Sequence, residues 1–328
     1  MKNIDEKPRT AADDFDRYIE KTINLRIRKI ALQTFACIIA ALVLIFFALS
    51  PLMNLAFPNA AKLNESEDGQ ESRLMEIMSA YCQTLYPNNE VFSLEVEKEG
   101  FGCYTLHLQI IDHSVPSFSG LKNVDMSMKL GRLSVKDDPQ LLMTFKLGKF
   151  YNQYSEDVFA PPEEALAALA ALPDESFVYV NVTQQEAAAV TEVAEKAGGL
   201  LEWLQIYVPG DGFQPGVRIN FESGREASGP QDGGRQAPNE AELRERCLEN
   251  LRLLDENYDL WKDMGLYSNS TVFGARTDLL SELIGKIENA DSLQTKNYCL
   301  AGSKKEVLAY LQEAEGCYLS VENSPAVY

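Results

Sequence analysis

The chain has 328 residues, with 30 basic against 49 acidic side chains and a formal net charge of −19. Residues 1–29 carry eight Lys or Arg and six Asp or Glu, which leaves 22 basic and 43 acidic groups beyond them, a net of −21. So acidic a surface excludes nucleic-acid binding by the larger part of the chain, because phosphate recognition runs on clustered cations.

Met1–Ala12 is polar and contains Pro8. From Asp13 the pattern turns helical: DDFDRYIEKTINLRIRK. Asp13 and Asp14 suit a helix N-terminus, where negative charge meets free amides. Phe15, Tyr18, Ile19, Thr22, Ile23 and Arg26 follow i, i+3, i+4 spacing and give one face a mostly apolar stripe. A leader of 29 residues is too short to bury that stripe against itself. It therefore lies on a membrane surface or in a partner's groove.

Between Ile30 and Ala61 there is no charged residue. The run Ile30–Ser50 is 21 residues, roughly 31 Å as a helix at about 1.5 Å per residue, against a hydrocarbon core of about 30 Å. This predicts a transmembrane segment over 30–57, with Pro51 near its outer end. Arg26, Arg28 and Lys29 precede the run, whereas Lys62 beyond it is soon followed by Glu65, Glu67 and Asp68. The positive-inside rule then places the N-terminus in the cytoplasm and the C-terminus outside, as a single-pass protein of the cell membrane. A cleaved signal peptide is the alternative, with PNAAK as the cleavage region, but its apolar core is usually only about 7–15 residues.

Residues 58–75 read as a juxtamembrane tether, exposed to proteolysis. Leu74–Leu85 looks helical, and Tyr86-Pro87-Asn88-Asn89 is a turn signal. Residues 76–155 form a strand-rich subdomain. Phe92, Leu94 and Val96 alternate with polar residues. Tyr104, Leu106, Leu108 and Ile110 do the same, and Gly100-Phe101-Gly102 between the two runs predicts a hairpin. Val124, Met126, Met128 and Leu130 give a third strand; Leu141, Met143, Phe145 and Leu147 give a fourth. The outline is an antiparallel meander.

Pro161-Pro162 marks a boundary near a seam at Phe150–Pro162, and Pro162–Leu172 is a strong helix opened by proline. In residues 156–328 two β-α-β units stand out. One is strand Phe177–Thr183, helix Gln184–Ala197, strand Leu201–Val208. The other is strand Asn297–Gly302, helix Ser303–Ala314, strand Cys317–Asn323, each helix starting near a Thr or Ser cap. Ser223–Ala237 has loop composition. Asn239–Leu266 reads as one long amphipathic helix with Leu243, Cys247, Leu251, Leu254, Tyr258 and Trp261 on its apolar side. The fold class is α+β: one N-terminal transmembrane helix, then an extracellular α+β region with a meander followed by β-α-β units.

Chemistry is sparse. Beyond the apolar run lie five cysteines, Cys82, Cys103, Cys247, Cys299 and Cys317. An odd number without tight spacing argues for buried or unpaired thiols over a zinc site or disulfide framework. His107 and His113 are the two histidines. Six apart on one strand, they share a face, which allows metal binding, with solvent-facing side chains as the plainer alternative. Three Asn-x-Ser/Thr sequences occur, at Asn64, Asn181 and Asn269. No GxSxG, HExxH, P-loop or dinucleotide fingerprint is present. Neither an enzyme, a cofactor nor a bound metal is expected.

Four segments together resemble the membrane-anchored sigma factor regulators of Gram-positive bacteria. They are the leader DDFDRYIEKTINLRIRK running into the span; AYCQTLYPNNE with EGFGCYTLHLQI; SFVYVNVTQQEAAAV with LEWLQIYVPGDGFQPGVRINF; and the closing LAGSKKEVLAYLQEAEGCYLSV. The resemblance implies a single-span anti-sigma factor whose leader holds an extracytoplasmic-function sigma factor away from RNA polymerase. Residues 156–328 would be a sigma regulator C-terminal-like domain, and the exterior would sense envelope state, alone or with an accessory membrane protein. The apolar stripe selects Phe15, Tyr18, Ile19 and Ile23 for the sigma contact. Burying four such side chains contributes roughly 6–12 kcal/mol before ordering costs, at about 1.5–3 kcal/mol each. The alternatives are an envelope-anchored binding or scaffold protein with no sigma partner, and a surface enzyme.

Overall fold

The structure is a computed structural model that describes residues 11–66, 71–115, 120–134, 148–151, 159–210, 213–219, 239–262, 264, 279–314 and 317–323. The chain forms two compact units, Met1–Phe57 and Pro58–Tyr328.

The described part of the first unit forms one helix, α1 (Ala11–Ala56). Within it Tyr18–Ile45 is long and apolar enough to cross a membrane. Every residue from Tyr18 to Ile45 except Thr22 is exposed within the chain. The helix does not stop at Pro51. Proline removes one backbone donor and crowds the carbonyl four residues back, and here the helical path continues past it to Ala56.

The second unit begins as folded structure rather than as a tether. Helix α2 (Ala60–Leu63) is capped by Asn59, whose side chain accepts from Lys62 N–H, and Ala60 is buried. Asn64 donates to Leu94 O and accepts from Ser72 Oγ, so the segment is tied to the first strand. Ser72 caps α3 (Arg73–Leu85), which buries Leu74, Ile77, Met78 and Tyr81.

Next comes a four-stranded antiparallel meander: β1 (Asn89–Gly100), β2 (Cys103–Asp112), β3 (Leu121–Lys129) and β4 (Arg132–Ser134). Strand β2 alternates as its sequence predicts, with Tyr104, Leu106, Leu108 and Ile110 inward. In β1 the register shifts between Val91 and Ser93. The extra residue of this bulge is Phe92, which turns outward (46% exposed) while Val91 takes the buried place. Leu130, expected on the inner face of β3, instead sits exposed in the turn into β4. The strand expected over 141–148 falls almost entirely outside the described residues, as does the loop at 223–237.

The remaining elements are α4 (Pro162–Ala170), β5 (Phe177–Ala189), α5 (Val190–Ala197), β6 (Leu201–Gln205), β7 (Gly216–Arg218), α6 (Glu240–Glu256), α7 (Tyr258–Trp261), α8 (Leu279–Glu288), β8 (Gln294–Ser303), α9 (Lys304–Glu313) and β9 (Tyr318–Asn323). The second sheet has the order β7-β6-β8-β5-β9, with every neighbouring pair antiparallel. The expected β-α-β units are therefore split ones. β5 and β6 run the same way with β8 between them, and β8 and β9 run the same way with β5 between them. Two interleaved split units give the ferredoxin-like strand order, with β7 added at an edge.

Three helical expectations change. Residues 184–189 extend β5, because Ala188 and Ala189 pair with Thr295 and Gln294 after a register shift. Helix α5 thus starts at Val190, with no side-chain cap. The long helix expected from Asn239 ends at Glu256. Asn257 leaves the helical path, its side chain donating to Leu253 O, and α7 follows as a single turn. Helix α8 was not anticipated, although Leu280, Leu283 and Ile287 are buried at helical spacing. In contrast, α9 has the expected Ser303 cap, closed reciprocally by Glu306.

The seam expected at Phe150–Pro162 does not separate two units. Helix α3 packs on β1, β7 and α6, and one apolar core runs through both sheets. The turn after α3 is pinned from the far side. Trp203 Nε1–H donates to Gln83 O at 2.7 Å, Tyr179 O–H to Pro87 O at 3.2 Å, and Asn88 Nδ2–H to Glu322 at 2.8 Å.

Candidate functional site

The face chosen from the leader is laid out on α1. Phe15, Tyr18, Ile19 and Ile23 are 64%, 70%, 38% and 50% exposed. At about 100° per residue they occupy one side of the helix. Thr22 lies among them, its hydroxyl donating to Tyr18 O at 2.8 Å. This arrangement can do one thing chemically: bury four large side chains against an apolar partner or a lipid surface.

The second unit offers an open groove of about 690 Å³ between α3 and α6. Arg73, Glu76 and Gln83 line one side; Arg246, Glu249, Asn250 and Glu256 line the other. Asn250 donates to Gln83 across it at 3.0 Å. Arg73 bridges Glu76 at 3.2 Å and Glu256 at 2.9 Å. A groove of mixed, mutually paired charge suits a polar peptide segment better than a small apolar ligand.

A buried polar node sits where two segments far apart in sequence meet. Arg218 of β7 is fully buried, and its Nη2 donates to Pro87 O at 2.7 Å and Asn89 O at 3.2 Å. Its Nε and Nη1, and both side-chain polar atoms of Asn89, have no hydrogen-bond partner among the described residues. Burying such groups costs about 1–3 kcal/mol each. The surrounding thiols are not activated. Burial pushes Cys82 up to about 12, against a smaller opposing pull from Arg218, and burial raises Cys299 further. Cys299 donates to Asn181 Oδ1 at 3.1 Å, and Tyr179 is also raised well above the ordinary phenol by burial. A nucleophile needs the reverse shift. The segments TLYPNN and GVRINF are each visible in the sequence but their meeting is not; the signal is an arginine between Val217 and Ile219 in an otherwise apolar strand.

The two histidines do not form one site. His107 Nδ1 lies 2.7 Å from Asp125 and Nε2 lies 3.4 Å from Glu97, on neighbouring strands. The Asp125 hydrogen bond raises the His107 pKa, against a smaller opposing effect of desolvation. His113 is past the end of β2, its Nε2 at 2.8 Å from Glu90. Burial alone would push Glu90 up, but the bond to His113, with Arg218 nearby, outweighs it and holds the carboxyl below its usual range. The two rings stand roughly 20 Å apart along the strand at about 3.3 Å per residue. Among the described residues no cluster of three or more His, Cys, Asp or Glu could hold a metal ion. All six thiols are free, four of them buried. Asn181 is buried and Asn64 is engaged in the fold, while Asn269 lies outside the described residues.

No family model matches the chain, and no similar protein was found among curated proteins or solved structures.

Proposed function

We propose that this protein is a membrane-anchored anti-sigma factor: the cytoplasmic end of α1 holds an extracytoplasmic-function sigma factor, and Pro58–Tyr328 stands outside the cell and responds to envelope state. One observation carries the reading: Phe15, Tyr18, Ile19 and Ile23 form an apolar face, exposed within the chain, on the same unbroken helix as a segment apolar enough to cross a bilayer. The excess of basic residues just before Ile30 supports the orientation. The test is replacement of Met1–Leu25 by an unrelated helical sequence. A sigma factor captured by the intact chain is lost from the replacement, and its regulon rises. Capture that survives the replacement removes the reading.

A second reading, an envelope-anchored binding or scaffold protein without a sigma partner, is favoured by the polar groove between α3 and α6. It requires function to survive the leader replacement and to fail when Arg73 and Asn250 are changed to alanine.

A further inference from the structure

The groove between α3 and α6 owes its room to the side chains at its middle. Helix α3 presents Ser79 and Ala80 there, and a longer residue would fill the space they leave. The two helices run in opposite directions along it. Arg73, at the start of α3, meets Glu256 at the end of α6, while Gln83, near the end of α3, meets Asn250. From Arg73 to Gln83 is about 15 Å of helical rise, the length of four or five extended residues at about 3.3 Å each.

Gln83 is the buried polar side chain of this groove, 7% exposed. Its Oε1 accepts from Asn250 Nδ2–H at 3.0 Å, and its main-chain oxygen accepts from Trp203. Gln83 Nε2 and Asn250 Oδ1 have no hydrogen-bond partner among the described residues. A donor is thus left beside an acceptor, held together by the bond between the two amides. That pair complements a peptide group, whose C=O accepts and whose N–H donates. A buried amide with an unused donor costs stability until something takes the donor up.

Charge sets the class of peptide. Glu249 is exposed beside Asn250, and among the described residues no ion pair reaches it. At the other end Arg73 holds two carboxylates at once, Glu76 and Glu256. The Glu256 side chain is 67% exposed, and so exposed a pair exchanges partners at little cost. The other arginines of the groove are committed: Arg252 bridges Glu288 of α8, and Arg246 is engaged. Glu249 and Glu256 lie two helical turns apart, about 10 Å. Residues three apart in an extended chain are separated by the same distance. Beyond residues 1–29 the chain carries a net charge of −21, which draws cations towards it.

We infer that the groove takes an extended cationic peptide segment. One peptide group of that segment bonds to Gln83 Nε2–H and Asn250 Oδ1, and two basic side chains three residues apart meet Glu249 and Glu256. The inference deepens the second reading above and rests on it, since it names what that groove binds.

Fluorescein-labelled, end-capped peptides Lys-Ala-Ala-Lys, Gln-Ala-Ala-Gln and Glu-Ala-Ala-Glu test it, by fluorescence anisotropy with the full-length chain in neutral detergent micelles. The lysine peptide binds most tightly, the glutamine peptide more weakly, and the glutamate peptide not at all. Glu249→Gln weakens the lysine peptide about twofold to fivefold. Glu164→Gln, the same change of charge on the exposed side of α4, leaves it unaltered. Gln83→Met keeps the side-chain length but removes the amide, and weakens the lysine and glutamine peptides about tenfold. Near-ultraviolet circular dichroism of Trp203 reports whether that variant is folded, and Glu249→Gln carries the test if it is not. Equal weakening by E249Q and E164Q would make the attraction diffuse and overturns the inference, as does a lysine peptide that fails to bind. Equal binding of all three peptides, lost in Gln83→Met, overturns the cationic class and leaves the second reading standing. Failure of that reading shows separately, as loss of function on replacing the leader.

Discussion

The two units place the same kinds of side chain in opposite surroundings. In Pro58–Tyr328, Leu106, Leu204, Leu251 and Leu300 are sealed in a core. In α1, Leu42, Leu44 and Phe47 face outward, and no apolar residue from Tyr18 to Ile45 is buried within the chain. Helices gain most of their stability in proteins from packing an apolar face. Among the described residues, the apolar stretch Tyr18–Ile45 of this 46-residue helix is long and apolar enough to cross a membrane and has no buried residue. The comparison teaches that folding of the second unit and placement of the first are separate problems, and mutations should separate them.

The largest effect expected is on the second unit alone. Trp203 is buried, stacks on Phe150 with ring centroids 5.7 Å apart, covers Gly216 and donates to Gln83 O. Trp203→Ala leaves a cavity and an unpaired carbonyl, costing about 3–5 kcal/mol. Urea unfolding followed by near-ultraviolet circular dichroism measures this, and both sheets should unfold together because the tryptophan ties one to the helix carried by the other. Membrane retention should be unaffected. Two separate transitions would show that the sheets are independent after all.

Leu42→Asp is the converse. A carboxylate near the middle of an apolar span costs about 2.5–3.5 kcal/mol of insertion free energy. Membrane fractionation should show lower retention, while the urea midpoint of the second unit stays where it was. A shift in that midpoint would mean that α1 belongs to the folded core.

What the sequence could disclose divides along the same line. Period-two alternation in β2 and the charge-free run need only local residues, and both are borne out as a half-buried strand and an apolar helix. The failures come from pairing partners far along the chain. Gln184–Ala189 is helical by local preference, yet β8 recruits Ala188 and Ala189 into a strand from more than a hundred residues away. Phe92 alternates correctly on paper, but the bulge against β2 sends it outward. The split arrangement of β5, β8 and β9 depends on sheet order, which periodicity does not carry. Of the candidate sites, the α1 stripe was legible because a helix face is a local property. The groove between α3 and α6 and the node at Arg218 were not, since each joins segments well over a hundred positions apart.

Titration sharpens the comparison further, since the shifted groups discussed above are all in the second unit. Glu90 has a folded pKa below its ordinary 4.5. Its contribution to stability is present above that value and is lost as pH falls through the lower folded value. His107 has a folded pKa above 6.5. Its contribution is present below 6.5 and is lost as pH rises through the folded value. Because His107 is half-exposed, solvent screens its pairs and the effect is small. Melting temperatures of His107→Gln and the unaltered chain should converge as pH rises above that range and separate below it. Glu90→Gln should flatten the acid limb instead. Nuclear magnetic resonance titration of His107 reads the direction directly, and a midpoint at or below 6.5 would remove the assigned role of Asp125.

The smallest effect expected is at Phe92. A residue expelled by a bulge contributes little to the core, so Phe92→Ser should change the unfolding free energy by no more than about 0.5 kcal/mol. Leu108, which pairs across the same two strands but points inward, should cost about 2–5 kcal/mol as Leu108→Ala. The pair of measurements tests the bulge itself. If both substitutions were costly, β1 would run without the register shift and Phe92 would lie in the core, as simple alternation predicts. If only Leu108→Ala is costly, the exposed phenylalanine is a surface feature of the second unit. It would then be the one large apolar side chain of β1 exposed as fully as those of α1.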